Sequence, residues 1–391
     1  MTFFDTDENG EPRLGRNPRR PKSERRRRLG LGILFGVVIF SIALAGVPVP
    51  YVIEEPGPNF NTLGTVEVPK DANDPDAGSV VVPLISISGT ESYEPTGTLS
   101  LLTVSVFGNP QSLPGIFDVM TAWFDVQKSV VPVDAIFPPD QSEEERNDEN
   151  AALMVDSQQE AIAAALLNMG YQVGTQVKVV EVTTDSVSKG ILDAGDIITE
   201  VNGAAVSSVD ELRAALKANG TATPAHLTII RNSITMGVDI TPVDKDGSPV
   251  IGILAQPVYS FPFEVTIQLN DVGGPSAGLM FALGIIDKLT PENLTGGKNV
   301  AGTGTIDAEG NVGPIGGIRQ KMYSAVSADA AYFFAPADDC GEVVGHIPAN
   351  LQVISVRTLD DALHALDVIR MPNSSAVANH IASGDLATCK D

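Results

Sequence analysis

The chain predicts an α+β protein with two folded regions behind an N-terminal apolar segment. Three observations carry that reading. Beyond Ala331, strand-like and helix-like runs alternate, which argues for helices layered on a sheet. Residues 172–243 instead hold short strand patterns around one helix, 208–218. Residues 29–47 carry no charge at all.

The N-terminal segment comes first. Residues 1–28 hold nine Lys and Arg and end in Arg25-Arg26-Arg27-Arg28. The uncharged stretch that follows is about 20 residues, enough to cross a hydrocarbon core of about 30 Å. Basic residues flank its N-terminal side alone. By the positive-inside rule this predicts a cytoplasmic tail at 1–28, a transmembrane helix at 29–50 and all later residues outside the cytoplasm. The stretch is longer than an ordinary signal h-region, and Val47-Pro48-Val49-Pro50 is a poor cleavage site. A single-pass anchor in the cell membrane, with the lipid bilayer as partner, is therefore expected over a cleaved signal. The whole chain has a net charge of −24, and its acidic excess lies beyond that anchor, which argues against nucleic acid as a partner. The basic tail reads as a topogenic signal that meets anionic lipid. Two cysteines, Cys340 and Cys389, lie on the expected oxidising side and are disulfide candidates, two free thiols being the alternative. No Cys/His spacing suggests zinc, and no metal is expected.

Residues 51–170 follow as a β-rich segment. Strand patterns occupy 79–87 and 97–107. Residues 138–150 are polar and acidic and read as a flexible loop. A helix is expected over 157–170, because Ser157 and Glu160 match a capping box and Ile162, Ala165, Leu166 and Met169 make an apolar stripe.

The chemistry concentrates in two segments. In Gly273-Gly274-Pro275-Ser276-Ala277-Gly278, glycines permit a sharp turn and a proline suits a helix start. An apolar run up to Pro291 then reads as a buried helix, and Val265, Ile267 and Leu269 alternate as a strand leading in. Ser276 thus stands at a helix N-terminus, where the N–H groups of Ser276 and Ala277 are candidate oxyanion donors. Asp271 lies near the turn, as an orienting group or a solvated turn residue. A serine needs a base, and none of the four histidines lies in a suitable setting. Lys321 does. Ile318, Lys321, Met322 and Ala325 share one helical face after Gly316-Gly317, while Arg319 and Gln320 are expected to point elsewhere. Burial would lower the lysine pKa and leave it a proton acceptor near neutral pH. Taken singly, the serine reads as an ordinary turn cap and the lysine as a snorkelling side chain. The joint pattern favours a Ser276–Lys321 pair.

On these motifs the chain resembles the proteolytic domain of the Lon peptidase family. Pro275-Ser276-Ala277-Gly278, Thr303-Gly304 and the segment from Pro314 to Lys321 match that family's motifs in order, and residues 262–370 fit as a whole. The resemblance implies a Lon-type α+β proteolytic domain over 244–372, followed by a tail at 373–391. It implies Ser276 as nucleophile, Lys321 as base and a homo-oligomer, a hexameric ring. It also implies that Thr303 helps orient the lysine, packing in a strand being the other role open to that threonine; Gly274 and Ala277 in the turn are the other supporting residues. The chain departs from Lon in having no G-x-x-x-x-G-K-[ST] phosphate loop, so no nucleotide and no cofactor is expected.

Residues 171–243 resemble a PDZ domain: its Gly-Asp-x-Ile-x-x-Val-Asn-Gly core is matched from Gly195 to Gly203. Such domains take extended peptides by strand addition beside a helix. The strand 177–182 is the expected dock, with Val177, Val179 and Val180 as peptide-binding residues and 171–176 as the carboxylate loop. The 79–169 segment also resembles the first half of a Lon fold, which implies a PDZ module inserted within it. The combined expectation is an ATP-independent, membrane-anchored serine endopeptidase acting outside the cytoplasm on proteins captured by the PDZ module. The alternative is a non-catalytic PDZ scaffold on a peptidase-like fold.

Overall fold

The computed structural model describes residues 29–37, 39, 47–70, 78–245, 247–269, 272–372 and 375–389. The expected tail at 1–28, Asp271, and residues 38 and 40–46 of the expected span lie outside them. Twelve strands matter here: β1 (Tyr51–Asn61), β2 (Ile85–Ser88), β3 (Thr98–Phe107), β4 (Gly174–Val182), β5 (Ile197–Val201), β6 (Ala225–Arg231), β7 (Ile234–Ile240), β8 (Ile253–Ser260), β9 (Glu264–Ile267), β10 (Asn299–Gly302), β11 (Tyr332–Pro336) and β12 (Gln352–Val356). The helices are α1 (Ile116–Trp123), α2 (Glu143–Asn168), α3 (Val209–Asn219), α4 (Gly278–Leu289), α5 (Ile318–Ser327), α6 (Leu359–Ile369) and α7 (Ala376–Ser383). They fall into two units, Met1–Ile53 with Val106–Pro138, and Glu54–Ser105 with Pro139–Asp391.

In the smaller unit, residues 29–37 are helical with their large apolar side chains exposed. Among the described residues, no helix is long and apolar enough to cross a membrane. The carbonyl of Val47 accepts the Ile116 N–H at the start of α1. A small core joins Ile53, Val119 and Ala122. The other face of α1 and its C-terminal turn leave Phe117, Met120, Trp123, Phe124 and Val126 exposed.

The larger unit is built on one sheet running β12-β11-β10-β3-β1, parallel from β12 to β3. Its strands come from both sides of residues 171–243. Helix α4 is buried at every position, as its all-round apolar sequence predicts, and packs on α2. The expected strand before the turn is β9, which pairs antiparallel with β2.

Two expectations are corrected. Residues 138–150 are not a loop: helix α2 begins at Glu143, fourteen residues before Ser157. Ser142 and Glu145 form the real capping box, their side chains bonding each other's backbone N–H at 3.2 and 2.9 Å. Three glutamates in the first turn then meet the positive end of the dipole, so the acidity that looked like disorder suits a helix start. Ser157 is consequently mid-helix and buried.

The PDZ-like region has its own core around Val177, Ile198, Leu212 and Leu227. Its sheet runs β7-β6-β5-β4-β8, so it recruits β8, beyond residue 243. Asp196 is buried and carries the structural charge here, held by the Arg231 guanidinium at 2.6 Å. Burial pushes its carboxyl up, but the Arg231 hydrogen bonds outweigh this and hold it below the usual range.

Candidate functional site

The Ser276 turn is fixed by hydrogen bonds from three directions. Gly274, at φ +85°, adopts a backbone that side chains disfavour, and its N–H donates to the Asn150 carbonyl of α2. Ser157, also on α2, donates its hydroxyl to the Pro275 carbonyl at 2.9 Å. The Ser276 carbonyl accepts both the Gly304 N–H at 2.9 Å and the Thr303 hydroxyl at 3.0 Å. Ser276 therefore stands just ahead of α4, whose first residue is Gly278 and whose cap is Ala277. Among the described residues, the N–H groups of Ser276 and Ala277 meet no backbone acceptor.

Lys321 comes from α5, which docks on the sheet through Ile318, Met322 and Ala325, all fully buried. The helix starts at Gly317, in the left-handed region at φ +68°, where a Cβ would lie 2.6 Å from Val104 Cγ2. Lys321 is itself 3% exposed. Its Nζ donates to Ser276 Oγ at 2.8 Å and to Thr303 Oγ1 at 3.1 Å. Among the described residues, no carboxylate lies within ion-pair distance of it. Burial pulls its pKa down to about 8 from 10.5, against the opposing pull of Asp339. Asp339 is buried too and accepts the Ile315 N–H at 3.0 Å, and burial raises its own pKa. Gln320 is as buried as the lysine, at 2% exposure.

Ser276 and Lys321 face a cleft of about 330 Å³, lined also by Leu101, Val104, Met154 and Val272. The pairing of β3 with β10 ends at Leu101, and residues 102–105 continue along the cleft without a partner strand on that side.

The peptide-binding expectation fails in detail. At Val177 strand β4 is paired on both sides, with Ile198 of β5 on one and Pro257 of β8 on the other. Val177 and Val179 are wholly buried in the core, and Val180 lies next to a register shift. A groove of about 270 Å³ lies elsewhere, between α3 and the segment leading into β8. Val209, Leu212 and Leu216 line one side, and Ile251, Gly252 and Ile253 the other. Strand β8 ends the sheet, so its outer edge is open. Residues 171–176 do not line this groove. Strand character is local, whereas an edge is decided by a partner that for Val177 lies 80 residues further on, at Pro257.

Cys340 and Cys389 are disulfide-bonded. Sequence reasoning missed Ser157, Asn150 and Asp339. For Ser157 a signal existed: Met154, Ser157 and Ala161 share one face at helical spacing, and all are buried.

Residues 270–368 match the Lon protease (S16) C-terminal proteolytic domain, and residues 146–243 match the PDZ domain family. Both domains are present in the chain. The Lon protease of Azospirillum brasilense is 37% identical over 97 residues, 24% of this chain and 12% of that protein. The Lon protease of Geobacter metallireducens is 37% identical over 93 residues, 23% of this chain and 11% of that protein. The chain thus spans about an eighth of the length of the curated relatives it matches. The PDZ domain of an SdrC-like protein from Listeria innocua is 30% identical, covers 20% of this chain and 92% of its own, and has a TM-score of 0.20.

Proposed function

We propose that the chain is a membrane-anchored serine endopeptidase that works without nucleotide and outside the cytoplasm. The observation that carries the chemistry is the 2.8 Å contact between Ser276 Oγ and a buried Lys321 whose pKa is drawn down to about 8. A neutral lysine accepts the serine proton as Oγ attacks the scissile carbonyl. The N–H groups of Ser276 and Ala277 receive the oxyanion. Lys321 returns the proton to the leaving amine, and water, activated by the same lysine, releases the acyl group. Thr303 holds Nζ and the Ser276 carbonyl together, which fixes the geometry of the pair. An extended substrate would add along residues 102–105 of β3. A non-catalytic scaffold would have no use for a buried lysine held on a serine hydroxyl.

Substrate capture belongs to the α3–β8 groove, where a peptide strand pairs with the open β8 edge and seats apolar side chains against Leu212 and Leu216. Anchoring is supported by the uncharged stretch 29–47 behind nine basic residues. The disulfide suits an oxidising compartment. No phosphate loop occurs within the 391 residues.

The test is incubation of the full chain in detergent with a denatured protein substrate, with and without ATP. Peptide products are expected without ATP and are lost in Ser276→Ala. Products that require ATP, or that persist in Ser276→Ala, would overturn the reading. A periplasm- or surface-active reporter at the C-terminus should be active, and an inactive one would reverse the topology.

A further inference from the structure

Helices α6 and α7 bring together three metal-ligating side chains away from the Ser276 cleft. His364 lies on α6 and His380 on α7. Gly384, in the left-handed region at φ +82°, ends α7 and turns the chain back, with the Asp385 N–H donating to the His380 carbonyl. The returning Asp385 carboxylate then meets both rings. Its Oδ2 lies 2.9 Å from His364 Nε2 and 2.6 Å from His380 Nδ1. The three donor atoms all fall within 4.8 Å of one another. We propose that His364 Nε2, His380 Nδ1 and Asp385 Oδ2 form a binding site for a divalent transition metal, zinc above all.

The donor set chooses the metal. Two imidazoles and one carboxylate suit zinc and its first-row neighbours, whereas calcium and magnesium need mostly oxygen ligands. Around a tetrahedral zinc, donors lie roughly 3.3 Å apart, given bonds of about 2.0–2.2 Å. The carboxylate oxygen lies somewhat closer than this to both ring nitrogens, so small side-chain rotations that open the cluster admit the ion. Without metal each neutral ring donates its N–H to the shared carboxylate oxygen. On binding, that proton leaves for solvent or moves to the ring's other nitrogen, and the freed lone pair ligates. All three side chains are partly exposed, which leaves water to complete the coordination. The ion would clip α7 onto α6, where the apolar grip comes from Ala376, Val377 and Leu386 alone among the buried residues of that segment.

The experiment uses the full chain, stripped with a chelator and kept oxidised so that Cys340 and Cys389 offer no thiolate. Zinc chloride is titrated against a chromophoric competitor, with calcium and magnesium as controls. One equivalent of zinc should bind, and amide exchange across residues 376–385 should slow when it does. His364→Ala and His380→Ala should each weaken binding by at least about tenfold, while His226→Ala leaves it unchanged. Asp385→Asn keeps the shape of the cluster and should also weaken binding, which covers the case of a histidine variant that misfolds. Failure of the wild type to bind zinc, or equal binding by the Asp385 and folded histidine variants, overturns the site. So would equal binding of calcium, which would mark mere attraction to an acidic surface.

Discussion

The two domains of the larger unit each hold a cation, Arg231 with its side chain 27% exposed and Lys321 only 3% exposed, and they treat it in opposite ways. In the PDZ region, Arg231 meets two carboxylates, Asp196 at 2.6 Å and Asp193 at 2.9 Å. The hydrogen bond to Asp196 raises the pKa of Arg231, against the pull of desolvation, so its charge is permanent. In the peptidase-type region, Lys321 meets two hydroxyls and no carboxylate within ion-pair distance among the described residues. Its charge is costly, and its proton can be lost near neutral pH. A paired charge fixes structure, whereas an unpaired one keeps chemistry available. The difference rests on residue choice around the charge rather than on burial alone.

The sharpest way to break this comparison is to make the lysine permanent. Lys321→Arg keeps a cation but removes any base, so hydrolysis should fall by about 1,000-fold or more at every pH from 6 to 10. Ser276→Ala should match it. In the wild type, the rate should climb about tenfold per pH unit below 8 and level above it, since only neutral lysine accepts the proton. A flat profile with chemistry rate-limiting would remove Lys321 as base.

Stability provides the next contrast. The folded lysine pKa lies below its unfolded value, so between about 8 and 10.5 the unfolded chain binds more protons and stability should rise with pH. Below 8 the cost of charging the buried lysine is fully present. Lys321→Met should therefore stabilise the fold by about 2–3 kcal/mol at pH 7 and abolish the rise, as chemical denaturation would show. Asp196→Ala should do the reverse, lowering stability by removing the buried carboxylate that Arg231 holds while leaving the pH–rate profile in place. If Asp196→Ala is neutral, the PDZ pair is not structural.

Thr303→Val removes the hydroxyl that holds Nζ and should lower kcat by about tenfold, with Thr303→Ser restoring most of it. An unaltered Thr303→Val would reduce the threonine to strand packing. The smallest effect is expected at the capture groove. Val209→Asp, at a partly exposed position lining the groove, should raise KM for long unfolded substrates by a few-fold, about 1 kcal/mol, and spare short peptides. Equal loss for both lengths in a folded variant would place the groove within the active site.

Much of this was legible along the chain because the signals are local. The burial of α4 follows from its apolar residues on every side, and the face shared by Ile318, Lys321, Met322 and Ala325 follows from helical spacing. Both sit where the periodicity put them, and Ser276 lies two residues before its helix. The strands 79–87 and 97–107 were equally readable, the first broken into Ser79–Pro83 and β2. The start of α2 was misjudged because composition outweighed a capping box that was present at Ser142 and Glu145.

What tertiary structure alone decided is which distant pieces meet. The sequence determined that a serine stands near a helix start and that a lysine occupies an apolar stripe 45 residues later. Their meeting at 2.8 Å depends on α2, whose Asn150 and Ser157 pin the serine turn from more than 100 residues upstream. The lysine's proton affinity depends on burial supplied by the assembled sheet, a property no window of sequence contains. Pairing decided the sheet edge in the same way: β8 pairs with one side of β4 and, among the described residues, ends the sheet itself. Periodicity reports which face of an element is buried, but partners are chosen by packing across the whole chain, where loop-closure entropy sets no fixed sequence distance.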